Sequence, residues 1–290
     1  MSYRVDYYKS PVRFLWSQDW RTETVREGVE LCKLETITPI VLKWLPRGSK
    51  ILEAGCGSGR WVAFLGEHGM DVIGIDYCVE GLQLLKRESA DAQVAAALVQ
   101  TMPFRDSTFS AVFSHGVVEH IEDGPLTALR EARRVLVSGG LLLLVVPYNN
   151  FFRRLIVNRL HSLRRALRML RGAKFAFSEY RFSVREVKRF LNDAGFVPFE
   201  IHPADLHPPR SIGLYVDALD LFGYEPVSAG GAGKGSPLFR LIVSGNGKWE
   251  LSRLGRLITA LLRRLSPWLA CGMVQVVAKA RTESYGGSPQ

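Results

Sequence analysis

The sequence predicts an α/β fold with a mostly parallel sheet, and three observations carry that prediction. From Lys50 onward, strand-like apolar runs alternate with helical patterns, which implies parallel strands joined by right-handed crossovers. The stretch Ile51-Leu52-Glu53-Ala54-Gly55-Cys56-Gly57-Ser58-Gly59-Arg60 reads as a buried strand turning sharply into a helix. Glycines serve there because φ must be positive, or because the backbone must come close to a ligand. The strand at residues 72–75 ends in Asp76, about twenty residues after the glycines, where an acid either caps the helix that follows or is placed to accept from ribose hydroxyls.

The elements follow in order. Residues 1–21 are rich in Tyr, Trp and Arg and read either as a lid over a pocket or as an ordinary N-terminal arm. Residues 22–45 carry one helical stripe, ended by Pro46-Arg47-Gly48. Strand one spans 50–54 and its helix 59–68. Residues 81–87 form a helix and 93–98 a third strand. Strand four, 110–114, leads into His115-Gly116-Val117-Val118-Glu119-His120. Residues 126–136 are helical, Ser138-Gly139-Gly140 turns, and 141–146 form a buried strand stopped by Pro147. Ser183 and Glu186 form a capping box for a helix over 183–194, and residues 196–201 are the sixth strand. About seventy residues then separate that strand from the last one, at 273–280, where a short hairpin would do. Within them, residues 230–235 read as a flexible loop and lack the spacing of a P-loop.

Composition bounds the function. A chain of 290 residues suffices for one large domain, or for a domain with an insertion. Its 38 basic and 28 acidic residues leave a net charge of +10, which points to an anionic partner: nucleic acid, a membrane surface or an acidic substrate. Cys32, Cys56, Cys78 and Cys271 have no paired spacing and read as reduced thiols. The first ten residues lack the apolar core of a signal peptide. Residues 254–270 are broken by Arg256, Arg263, Arg264 and Pro267 and fall short of a bilayer span. The expected compartment is the cytoplasm.

The glycine spacing selects the ligand. A dinucleotide fingerprint would need glycine where Arg60 stands, and a carboxylate at Glu53 suits a ligand that carries positive charge. The stretch resembles motif I of the class I S-adenosylmethionine-dependent methyltransferases. Residues 98–109 resemble that family's loop ahead of strand four, and 115–123 resemble the leucine-glutamate-histidine segment of small-molecule and quinone methyltransferases. The resemblance covers residues 45–147. It implies a Rossmann-like fold with a mostly parallel seven-stranded sheet, a helical lid, a late insertion and an antiparallel last strand.

On that resemblance, S-adenosylmethionine is held by Glu53, Gly55, Gly57, Gly59, Asp76, Tyr77, Val99, Gln100 and Ser114. Leu98 stands where many relatives place an acid against the adenine. Some quinone O-methyltransferases hold a metal with two glutamates and a histidine at this segment. Here Gly116 takes the first glutamate's place beside Glu119 and His120, so no metal site is predicted. Domain organisation follows: an N-terminal arm and helix at 1–45, the cofactor-binding core at 46–150, a lid at 151–182, and the rest of the sheet at 183–290 with a helical insertion at about 202–272.

Methyl transfer asks the protein to align donor and acceptor and to exclude water. A hydroxyl acceptor also needs a base, and histidine is the usual choice. His115 is the first candidate and His120 the second, the latter reading equally as a residue that orders its loop.

Residues 151–171 hold a helical apolar stripe among seven arginines and no acid, and residues 253–265 repeat that pattern. The first reads as a lid helix packed on its own core, as a surface for an anionic membrane, or as both, and two such helices favour a membrane or lipid-like acceptor. Three functions stay open: a methyltransferase for a small or lipid-linked acceptor, a nucleic-acid methyltransferase, and an inactive methyltransferase-like scaffold. The nucleic-acid reading lacks the Asn/Asp-Pro-Pro-aromatic segment of amino-group methylases, since strand four ends in Ser114-His115-Gly116-Val117.

Overall fold

The computed structural model describes residues 4–8, 24–205, 239–242, 248–269 and 271–282. The aromatic residues Phe14, Trp16 and Trp20 and the loop at 230–235 lie outside the described residues.

The strands in chain order are β1 (Arg4–Tyr8), β2 (Lys50–Ala54), β3 (Asp71–Asp76), β4 (Gln93–Ala96), β5 (Phe109–His115), β6 (Leu136–Pro147), β7 (Ala176–Arg181), β8 (Phe196–Ala204), β9 (Phe239–Ile242), β10 (Lys248–Leu251) and β11 (Met273–Ala280). The helices are α1 (Val25–Leu34), α2 (Thr38–Trp44), α3 (Arg60–Glu67), α4 (Val79–Glu88), α5 (Leu126–Val135), α6 (Asn158–Leu170), α7 (Val184–Asp193) and α8 (Arg253–Leu265). Seven strands form one sheet in the order β4-β3-β2-β5-β6-β11-β8. β4, β3, β2, β5 and β6 run parallel, and β11 inserts antiparallel between β6 and β8.

Strand alternation supplies two cores. Leu52, Val112 and Leu144 face one side with Leu129 of α5 and Phe190 of α7. Ile51, Phe113 and Leu143 face the other with Val29, Val41, Trp61 and Leu65. Both faces are apolar because both are covered by helices, as a parallel sheet requires.

Three boundaries depart from the sequence reading. The helix expected over 22–45 is two helices, α1 and α2. Pro39 has no N–H to donate to Glu35, so the ladder stops and restarts with proline in the first turn of α2. The turn at Ser138-Gly139-Gly140 lies inside β6. Phe109 pairs with Leu136 and Ala111 with Leu141, so the extra residues bulge, with Gly139 at φ +73°. The late insertion, expected to be helical, also contains the antiparallel pair β9–β10.

β1 pairs antiparallel with β7, Val5 opposite Tyr180 and Asp6 opposite Glu179. That ribbon sits on the loop leaving β5. His120 Nδ1 lies 2.9 Å from the Ser178 carbonyl, and the Tyr180 hydroxyl donates to the Glu122 carbonyl at 2.5 Å. No helix of the described residues is long and apolar enough to cross a membrane.

Candidate active site

The carboxyl ends of β2, β3 and β5 meet at one edge. The turn after β2 has Gly55, Gly57 and Gly59 at φ +84°, +56° and +77°, a region open to glycine at little cost. A Cβ at Gly55 would lie 2.3 Å from Val117, and one at Gly59 would lie 2.2 Å from Leu85. Two of the three glycines are therefore also required by packing.

Asp76 closes this turn. Its Oδ2 accepts the Gly57 N–H at 2.8 Å and its Oδ1 the Cys78 N–H at 2.8 Å. An ionised carboxylate has about four acceptor positions, so acceptor capacity remains for a ligand. Burial raises the Asp76 pKa, and the N–H groups of Cys78, Gly57 and Tyr77 oppose that rise. Tyr77, beside it, is exposed.

Glu53 is buried at the end of β2, and its Oε2 has no hydrogen-bond partner. Burial pushes its pKa well above the usual carboxylate range. Arg60 pulls it back and Asp76 pushes it further up. A buried polar atom without a partner is costly and calls for a donor. Ser114 is buried and donates its hydroxyl to the Ala54 carbonyl at 3.1 Å, stitching β5 to β2.

Val99 and Gln100 lie in the loop after β4, Val99 buried and Gln100 half-buried, between the bridge partners Leu98 and Thr101. The Ala97 N–H donates to the Asp76 carbonyl at 3.0 Å, which sets the loop against β3. Arg134 of α5 braces the loop's far side, donating to the carbonyls of Met102 at 3.0 Å and Phe104 at 2.8 Å. Glu131 accepts the Met102 N–H at 2.9 Å. Sequence reasoning missed this pair, although its i,i+3 spacing on a helix is a visible signal.

The two histidines differ in their partners. Arg60 Nη2 lies 3.3 Å from His115 Nδ1, while Arg60 Nη1 pairs with Glu35. A guanidinium only donates, so His115 Nδ1 accepts and its proton resides on Nε2. His120 is the reverse. Its Nδ1 faces a carbonyl, which only accepts, so Nδ1 carries a proton and, in the neutral ring, Nε2 has the lone pair. His120 Nε2 lies 4.0 Å from Glu119 Oε1. Glu119 is buried, and burial raises its pKa to about 7 against the pull of the His120 charge. Among the described residues, no group of three or more His, Cys, Asp or Glu side chains is placed to hold a metal.

Residues 52–144 match the model of a family described as "Methyltransferase domain". Over 101 residues, 34% of the chain, the sequence is 34% identical to the human protein named "Probable tRNA methyltransferase 9B", covering 21% of its length. It is 32% identical over 95 residues to a malonyl-[acyl-carrier protein] O-methyltransferase of Hamiltonella defensa, covering 33% of this chain and 36% of that one. The matched segment thus spans about a fifth of the human relative's length. An S-adenosylmethionine-dependent methyltransferase of Methanosarcina mazei superposes with a TM-score of 0.54 at 16% identity, covering 84% of this chain and 98% of that one. A geranyl diphosphate C-methyltransferase of Streptomyces coelicolor does so with a TM-score of 0.51 at 14% identity, covering 83% and 78%. Residues 52–144 are thus similar to a family of methyltransferase domains, and the chain has the fold of the class I S-adenosylmethionine-dependent methyltransferases.

Proposed function

We propose that the protein is an S-adenosylmethionine-dependent methyltransferase that transfers a methyl group to an oxygen or carbon of a small or lipid-linked acceptor. The observation that carries this reading is the unpartnered Glu53 Oε2, buried beside the glycine turn that Asp76 braces. These residues fit a cofactor with cationic and hydroxyl donors. A buried acceptor without a donor meets one, and Asp76 keeps acceptor capacity beyond its backbone partners.

In this reading Glu53, the turn Gly55–Gly59, Asp76, Tyr77, Val99 and Gln100 hold the cofactor, and Ser114 fixes the strand beside it. When bound, S-adenosylmethionine supplies an electrophilic methyl group on a sulfonium. The protein aligns the acceptor and excludes water around it, for which the β1–β7 ribbon over the β5 exit is suited. For a hydroxyl acceptor, His120 is the base, since its Nε2 bears the lone pair while Nδ1 holds the Ser178 carbonyl. His115, whose Nδ1 is held by Arg60, positions the edge of β5. That order reverses the one expected from sequence. Reduced, buried cysteines fit a cytoplasmic enzyme.

A nucleic-acid acceptor is the second reading. Similarity to proteins named as tRNA methyltransferases favours it, as does the net charge of +10. The exit of β5, without an Asn/Asp-Pro-Pro-aromatic segment, weighs against amino-group methylation of a flipped base. The inactive scaffold is the weakest reading, because it gives Glu53 Oε2 no donor.

Calorimetric titration with S-adenosylmethionine, with NAD as control, tests the cofactor. Transfer of labelled methyl to a lipid extract and to total tRNA then tests the acceptor. Binding in the micromolar range that is lost in Asp76→Ala supports the proposal. Absence of binding to a folded sample overturns it.

A further inference from the structure

Two helices of this chain are built inside out. On α6 and the π-helical turn that precedes it (Arg153–Val157), the residues turned toward the protein are largely polar. Arg153 is buried, and Asn158, His161, Ser162 and Arg165 are half-buried. The large apolar residues, among them Leu155, Ile156, Leu160, Leu163 and Leu167, face out, and the nine large apolar residues of Phe151 to Leu170 that are exposed are 41% to 84% so. On α8 the buried positions are Gly255 and Thr259, with Ile258 and Leu262 half-buried beside them, whereas Leu254, Leu257, Leu261 and Leu265 are 49% to 69% exposed. A helix packed on its own core shows the opposite arrangement, so the sequence's alternative of a lid helix seated by its leucines is not what the structure has.

Both helices leave the same corner. β6 runs out at the carboxyl edge of the sheet, and β11, being antiparallel, begins there, Met273 opposite Pro147. Asn150 donates to the Cys271 carbonyl at 3.1 Å, the Tyr148 N–H donates to the Gly272 carbonyl at 2.8 Å, and Tyr148 packs edge-on against Trp268. This is also the edge that carries Asp76 and the glycine turn.

We propose that α6 and α8 together form an interfacial anchor that seats this edge of the sheet on an anionic lipid bilayer. Charge and hydrophobicity select that occupant. The stretches 151–171 and 253–265 hold seven and four arginines, of which Arg153 and Arg165 are turned toward the protein, and no acid occurs between Glu131 and Glu179 or between Glu250 and Glu283. Arginines flanking a leucine stripe match acyl chains below a layer of anionic headgroups, with each basic residue near such a surface strengthening attachment roughly fivefold. RNA answers only half of the pattern. Phosphates meet basic groups and bases stack on aromatic rings, and neither uses a row of leucines. The anchor is read without any cofactor, so it stands or falls independently of the methyl-transfer assay.

The test is flotation of the full chain with vesicles of phosphatidylcholine alone and with vesicles containing about one third phosphatidylglycerol. The expected result is flotation with the anionic vesicles only. A variant with Leu163→Gln, Leu167→Gln and Leu261→Gln, all at exposed positions, is expected to partition at least about tenfold less while melting like the parent. Failure of the parent to float, or equal flotation of parent and variant, overturns the proposal. So does a parent that is dimeric in vesicle-free buffer, with a monomeric variant and no flotation. Retention of unfractionated tRNA equally by parent and variant, without flotation of the parent, identifies a polyanion surface and also overturns it.

Discussion

The carboxylate of Asp76 accepts the backbone N–H of Gly57 at 2.8 Å across nineteen residues of sequence. The acid that ends β3 thereby shapes the turn that ends β2, and one side chain serves both the loop and its ligand. Replacing it with alanine leaves the Gly57 N–H without its acceptor and removes a carboxylate acceptor from the site. Asp76→Ala is expected to weaken S-adenosylmethionine binding at least about hundredfold, two charge-assisted hydrogen bonds being worth on the order of 3 kcal/mol. Calorimetry reads it directly, and an affinity within threefold of the parent would remove Asp76 from the site.

Glu53 predicts a trade between stability and binding. Its burial without a full set of partners costs the ligand-free protein free energy. Glu53→Gln is expected to raise the melting temperature of the free protein while lowering cofactor affinity by about tenfold. A variant that melted lower and bound equally well would show that the carboxylate serves the fold alone.

Arg60 joins Glu35 and His115 in a largely buried cluster. Removing the guanidinium strands the Glu35 carboxylate. Arg60→Ala is expected to lose about 3–5 kcal/mol in urea unfolding, and the double variant with Glu35→Gln to recover much of it. If the two losses simply add, the pair is not coupled.

Glu119 gives a pH signature. Its folded pKa, about 7, is raised above the ordinary value of 4.5 by burial, so the folded state favours the protonated acid. The resulting stabilisation is present below pH 4.5 and is lost as pH rises to about 7. Glu119→Gln is therefore expected to match the parent in stability at pH 4 and to exceed it by about 3 kcal/mol at pH 8. Thermal melts across that range check the sign, and a gap that closes as pH rises would contradict the assignment.

His120 and His115 separate by tautomer. With a hydroxyl acceptor, His120→Ala is expected to lower kcat by about hundredfold with cofactor affinity unchanged. His115→Ala is expected to lose less than tenfold. The opposite pattern would return the base role to His115.

The sequence by itself determined the elements that depend on near neighbours. Alternating runs placed β2, β3, β5, β6 and β11 within a few residues, and the glycines, Glu53 and Asp76 marked the carboxyl edge before any coordinates. Ser183 and Glu186 announced α7, and the cap is present with both hydrogen bonds. These signals are local, since periodicity, capping and positive φ all act within one turn or one strand. What the tertiary structure alone decided was pairing across distance. β1 joins β7, about 170 residues away. The tautomers of His115 and His120 are set by Arg60 and Ser178, which no spacing rule connects to them. The outward leucines of α6 and α8 follow the same logic: periodicity shows that a helix has an apolar face, and only packing decides which way that face is turned.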